Sequence, residues 1–412
     1  MSRKFIANAA LSLAFSIGAI APAIAQQGKP ASREDTAAAI CMLAPMTAKK
    51  RLEACDYIIN SGSVDGNALA VALIGKTNAY LEMKENEKAL AAAPKAIAVA
   101  PNLPLPHVTR AAIYSQIDEH QKAIADASRG IELDRRNPGG YAIRAEAYIG
   151  QKNYAFALGD IDEALTMAPK FPQLHLLRSI TLLGLDKDDE ALSAARSALR
   201  LNPELASAHL VRFDIFMKRK QYALAAADAN RAAELEPKFY EAQHAASTAY
   251  AHDGKFERSV EIMDVLIAKT PDSAQARNGR CWALALMPDP ERALPDCELA
   301  IKKDPEHFQA LDSRAFVYWQ TGRIKEARAD LKAAKKIDPD FWDWDKREER
   351  FVTVLARRYL ISVGHYTGPI DANFDDMRPT EDAVKAFQKQ IGVTPTGKVS
   401  LALVARISRE LR

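Results

Sequence analysis

His107, His175 and His209 stand 34 or 68 residues apart (209 − 175 and 175 − 107). Imidazoles at a constant interval invite a metal reading, since a neutral ring nitrogen is a common metal ligand. The interval puts a whole structural unit between one histidine and the next. No cysteine or histidine stands at ligand spacing beside them, so they are read as packing residues and no metal site is expected. Asp371, Asp375 and Asp376 lack the spacing of a calcium loop and read as a solvated turn. No serine elbow, paired Cys/His nucleophile or phosphate-cradling loop is evident. The expectation is therefore no catalytic residue, no cofactor and no enzyme.

Four cysteines form two sequence-local pairs, Cys41 with Cys55 and Cys281 with Cys297. Cysteine can simply fill a small core slot. In an oxidising compartment both pairs would close as disulfides, and that is the expectation. A second regularity couples Arg110 to Asp126, Arg144 to Asp160, Arg212 to Asp228, Arg280 to Asp296 and Arg314 to Asp330, each pair sixteen apart (126 − 110). Two readings fit: an ion pair inside a helical hairpin, which is favoured, or an arginine stripe that binds anions.

These residues are positioned by a repeat. Pro169, Pro203, Pro237, Pro271, Pro305 and Pro339 recur every 34 residues (203 − 169), and the metre extends back to Pro101, with Arg135 in the slot between. With the proline as position 32, repeats begin at 70, 104, 138, 172, 206, 240, 274 and 308. Position 20 is Ala89, Ala123, Ala157, Ala191, Ala225, Ser259, Ala293 and Ala327, and position 27 is nearly as uniform, from Ala96 to Ala334. Position 11 is a large apolar residue such as Tyr80 or Phe216. Small residues at fixed spacing let two helices approach, turn signals such as Gly254 and Gly322 separate them, and proline closes each unit. Arginine occupies position 7 and aspartate position 23 in the five coupled repeats. Cys281 and Cys297 fall on the two helices of one unit.

This unit resembles the tetratricopeptide repeat in its small, aromatic and proline positions. The resemblance implies an all-α fold, a helix-turn-helix solenoid of eight repeats over 70–341. Position 4, where the three histidines fall, is a packing slot in that family. The family groove implies a protein or peptide partner bound at helix A positions 2, 5, 9 and 12. The lysine and asparagine clamp of chaperone-binding members is absent. Trp282, Phe316 and Trp319 gather at groove positions instead. They read either as hot spots for a partner or as packing against a following helix near Trp342 and Trp344.

The ends of the chain differ from the middle. Arg3 and Lys4, an apolar run from Ala9 to Ile20 and Ala23-Ile24-Ala25 have the form of a secretory signal over 1–25. The run is too short and too alanine-rich for a membrane anchor. A disordered leader is expected over 26–35 and a degenerate capping hairpin over 36–69. Removing 1–25 would take the net charge from +3 to about +1 (3 − 2), a balance that offers no nucleic-acid footprint. These features predict an exported protein, periplasmic in a bacterium.

After Pro339 the metre ends. A helical pattern with Phe351, Val354, Leu355 and Tyr359 follows without a linker. Gly364-His365-Tyr366, Gly368-Pro369-Ile370-Asp371, Phe374, Ala383-Val384, Phe387-Gln388, Gly392-Val393 and Gly397 follow. This region is similar to the peptidoglycan-binding domain appended to many cell-wall hydrolases, departing from it at Arg357, Ala372 and Asp375. The resemblance implies a small three-helix domain within 342–412, together with a capping helix. It also implies peptidoglycan glycan as ligand, with Tyr366, Phe374 and Gln388 as candidate contacts. Phe387 reads as core, and Gln388 would equally brace a turn. Together the chain reads as an exported protein-interaction scaffold tethered to the cell wall. The competing readings are a regulatory subunit of, or an unrecognised, cell-wall hydrolase, or a C-terminal domain that only caps the repeats.

Overall fold

The computed structural model describes residues 41, 47–339, 347–368, 377–400, 402, 403 and 406. No strand occurs among them. The chain forms two compact units, Met1–Ile215 and Phe216–Arg412. The expected signal and leader, residues 1–35, lie outside the described residues, as do Trp342, Trp344, Asp371, Phe374, Asp375 and Asp376.

Each expected repeat holds two helices, and outside 206–239, which the division between the units cuts, the two pack as a hairpin. Helix B ends at Val99, Leu133, Met167, Leu201, Leu235, Lys269, Lys303 and Ile337, two residues before the proline slot in every case. A proline ring cannot continue the helical ladder. Position 20 is at most 1% exposed in all eight repeats, which is what a close approach of helices A and B requires. At Gly130 the approach leaves no room for a side chain: a Cβ there would lie 2.5 Å from Cγ2 of Val108. Ahead of the repeats, helix Ala48–Ser61 stops at Gly62, which adopts the left-handed conformation at φ 67°. The first helix A then begins at Gly66, four residues before the metre predicts.

The A–B turn repeats as strictly as the prolines do. Position 15 has positive φ at Lys84, Asp118, Lys152, Asp186, Lys220, Gly254 and Gly322. The remaining slot holds Pro288, whose ring fixes φ near −65° and forbids that turn. There the chain inserts the short 3-10 helix Pro290–Ala293 before a shortened helix B, Leu294–Lys303.

The histidine ladder is explained by these turns. His107, His175 and His209 place Nε2 at 3.1, 2.8 and 3.0 Å from the carbonyl oxygens of Pro101, Pro169 and Pro203. Gln243 donates to the Pro237 oxygen in the same way. In these four repeats position 4 therefore satisfies the carbonyl of the proline that closes the preceding unit.

The arginine column is committed to internal pairs. Arg110, Arg144, Arg280 and Arg314 each grip the hairpin aspartate through Nε and Nη2, at 2.6–2.8 Å. Arg212 and Asp228 stand on opposite sides of the division between the units. Where position 23 is Ala194, Arg178 reaches Asp162 instead, at 3.0 Å.

Both cysteine pairs have their sulfurs at bonding distance, 2.17 Å for Cys41 and Cys55 and 1.99 Å for Cys281 and Cys297. Gly75 makes room for the first: a Cβ there would come within 2.8–2.9 Å of both sulfurs.

Candidate functional site

Helix Arg347–Ser362 supplies two cores at once, all within the second unit. Phe351, Val354, Leu355 and Ala356 join Cys281, Leu284, Phe316 and Trp319 of the last two repeats. Leu360 joins Tyr366, Val384, Phe387 and Leu403 in a smaller C-terminal core. The sequence dictates this split. Phe351, Leu355 and Tyr359 lie four residues apart on one stripe, and Leu360 is turned away from it. Burying side chains of this size is worth about 1.5–3 kcal/mol each, so neither core closes without the helix.

Polar groups lock the same helix to the repeats. Arg347 makes a buried two-point ion pair with Asp312, Nε lying 2.7 Å from Oδ1. Arg358, 8% exposed, donates through Nη1 to the Met287 carbonyl at 3.1 Å and to Gln320 Oε1 at 3.2 Å. Gln320 in turn donates to the Ala285 carbonyl at 2.9 Å. The Ala285 carbonyl ends helix Ala274–Ala285, and the Met287 carbonyl lies in the irregular turn at Pro288.

Of the two readings of the aromatics, this packing favours cover by the following helix. Phe316 and Trp319 are buried, with ring centroids 5.0 and 6.2 Å from that of Phe351. Trp282 is half-buried against Phe316 at 5.3 Å. Phe316 and Trp319 lie in the core beneath the capping helix, and Trp282 packs against that core while remaining partly exposed.

Of the three candidate sugar contacts the structure describes Tyr366 and Gln388; Phe374 lies outside the described residues. Tyr366 is 6% exposed within the C-terminal core. Gln388 on helix Arg378–Gln390 braces a turn: it donates to Thr396 Oγ1 at 3.0 Å and accepts from the Gly397 amide at 3.0 Å. Gly397 has φ +72°, and a Cβ on it would strike the Lys385 side chain at 2.8 Å. His365 sits edge-on to Phe387 and bonds Gln390.

The braced turn is one wall of a cavity of about 590 Å³, whose other walls are helices Arg347–Ser362 and Arg378–Gln390. Glu349, Glu381, Lys385 and Lys398 line it, with Val352 and Val399 among the apolar residues. It was missed from sequence because these charges look like ordinary surface residues; only the folded turn brings 396–400 to the helices. No cluster of His, Cys, Asp or Glu able to hold a metal occurs among the described residues.

Elsewhere, three groups at groove positions are perturbed. Glu146 is 2% exposed, and neither carboxylate oxygen has a hydrogen-bond partner; burial raises its pKa well above the usual range. Asp214 is pushed up to about 6, chiefly by burial. In the second unit, His244 is lowered to about 4, by burial first and then by nearby His307.

Comparison with known proteins agrees with this anatomy. Residues 353–407 match the family described as "Putative peptidoglycan binding domain". Residues 210–274 and 308–341 match tetratricopeptide repeat families. No curated protein matches the chain. Among solved structures, the Cut9–Hcn1 hetero-tetramer of the APC/C is similar at 16% identity, covering 78% of this chain and 63% of that one, with TM-score 0.52. Yeast Tom70 is similar at 18% identity over 80% and 72% of the two chains, TM-score 0.49. A tetratricopeptide repeat protein from Parabacteroides merdae is similar at 18% over 59% and 96%, TM-score 0.48. At such identities the likeness concerns the fold alone. The chain carries tetratricopeptide repeats followed by a C-terminal domain of the peptidoglycan-binding type.

Proposed function

We propose that this protein is an exported, non-enzymatic scaffold that holds a protein partner at the cell wall. The repeats supply the partner surface, and the C-terminal domain supplies attachment to peptidoglycan. One observation carries the reading. The capping helix of the repeats is also the first helix of the segment matching the peptidoglycan-binding family. Attachment through one part therefore holds the other without a linker. Export is supported by the signal-like residues 1–25 and by two cysteine pairs at bonding distance, a usage suited to an oxidising compartment.

The test is sedimentation of the full mature chain with insoluble peptidoglycan. The protein should pellet in proportion to the polymer added; protein remaining in the supernatant at every polymer concentration defeats the attachment reading. Export is tested separately. Thiol titration of non-reduced protein from the periplasm should find no free thiol, and a chain confined to the cytoplasm would defeat that part.

A further inference from the structure

The cavity bounded by Glu349, Glu381, Lys385 and Lys398 does not look like a sugar site. Sugar recognition commonly uses an aromatic face, and no aromatic side chain lines the cavity among the described residues. Of the described aromatics in the matched segment, Tyr366 and Phe387 are buried in its core and Tyr359 packs part-buried against it. What the cavity presents is charge of both signs over an apolar wall of Val352 and Val399.

These charges are available to a ligand. Glu349, Glu381 and Lys398 have no ion-pair partner among the described residues. Lys385 has only an exposed contact with Asp382 at 3.3 Å, the kind of surface pair that contributes little. Glu381 and Lys385 are four apart on one helix and would normally pair with each other; here the Lys385 ammonium turns to Asp382. Lys398 is held beside them because Gln388 pins the adjacent Gly397 amide. A rigid turn that carries a charge is a pre-organised contact. The cavity volume falls in the range of small-ligand sites, large enough for two or three amino-acid residues.

We propose that this cavity binds a short peptide zwitterion, its ammonium against Glu349 and Glu381 and its carboxylate against Lys385 and Lys398. The C-terminal domain then reads the peptide portion of its polymer and not the glycan. The inference rests on the peptidoglycan-attachment reading for its biological context, while its chemistry is testable alone.

Alanyl-alanine dipeptides of both chiralities are titrated calorimetrically into the full chain. At least one free dipeptide should bind saturably. Its N-acetylated and C-amidated forms should each bind about tenfold or more weakly, the effect expected on losing a charge-assisted contact. Glu381→Gln and Lys398→Gln, both at exposed positions, should produce comparable losses while leaving the circular dichroism and thermal midpoint unchanged. In the sedimentation assay the dipeptide should displace the protein from peptidoglycan, and chitotetraose should not. Displacement by chitotetraose alone would assign the domain to glycan and overturn the proposal. Pelleting unaffected by either substitution would place the site elsewhere and do the same. If wild-type protein fails to pellet, the attachment reading falls. The titration then decides the cavity's chemistry by itself, and no heat from any dipeptide overturns it.

Discussion

Arg358 donates a hydrogen bond to the backbone carbonyl of Met287, 71 residues earlier in the chain, at 3.1 Å. That carbonyl is exposed to it by a single local fault in the repeat. Pro288 cannot adopt the left-handed turn found at position 15 of the other seven repeats, so the chain takes a different path there. The irregular turn thereby becomes a socket for the capping helix. Loss of Arg358 would strand the Met287 carbonyl and Gln320 Oε1 together.

Arg358→Met keeps the apolar stem and removes the donors. A buried hydrogen bond from a charged donor is worth about 1.5–3 kcal/mol. The urea midpoint followed by tryptophan fluorescence, which reports the second unit because every tryptophan follows residue 215, should fall by a corresponding amount. An unchanged midpoint would mean that water replaces the guanidinium without penalty.

Phe351 is the apolar counterpart of this lock. It is fully buried and touches both Phe316 and Trp319. Phe351→Ala should destabilise the second unit by about 3–5 kcal/mol and red-shift its fluorescence as Trp319 meets water. Deletion of 348–412 removes Phe351 altogether. It should yield an aggregation-prone chain, because Phe316 and Trp319 lose their cover. A soluble, monomeric truncation with native-like emission would contradict this.

Much of this was legible in the sequence, for a physical reason. A 34-residue period repeats the same local conflict, helix against proline and small residue against partner helix, so each repeat corroborates the others. The hairpins and the Arg–Asp pairs followed from comparing repeats of one chain. What could not be read was whatever happens once. Pro288 lies inside a correct metre and alters the turn without altering the length. Trp282, Phe316 and Trp319 occupy groove positions, and the sequence leaves open whether a following helix covers them; the placement of Phe351 against Phe316 and Trp319 decides for the helix. Gln388 was legible as a turn brace, but the cavity wall that it fixes was not, since Lys398 becomes part of a site only through that turn.

The pairs between positions 7 and 23 should couple measurably but modestly. In the cycle formed by Arg144→Ala, Asp160→Ala and the double variant, a coupling energy of about 1 kcal/mol is expected, near the upper end for partly exposed pairs. The two-point geometry and the low exposure of the aspartate support that placement. Arg178→Ala provides the contrast, because its partner Asp162 is half exposed and a smaller loss is expected. Zero coupling at Arg144 would show that the column serves another purpose, such as anion binding.

The perturbed titratable groups give opposite pH dependences in the two units. His244 has its folded pKa depressed from 6.5 to about 4. The stability it contributes is thus fully present above 6.5 and lost as pH falls through about 4, because the unfolded chain takes up the proton first. Glu146 is shifted upward by burial, so its contribution has the other sign. The folded state is favoured below the ordinary carboxylate pKa and penalised as pH rises through the raised folded value. His244→Gln should therefore flatten the acid loss between pH 6.5 and 4 in the fluorescence-detected unfolding of the second unit. Glu146→Gln should raise stability at neutral pH, seen by far-ultraviolet circular dichroism, and its advantage should shrink toward pH 4.5. Both oxygens of Glu146 lack partners, so the amide is no worse bonded than the acid and loses only the penalty of ionisation. A Glu146→Gln chain that is less stable than wild type at pH 7.5 would mean that the carboxylate is ionised and paired in the folded protein.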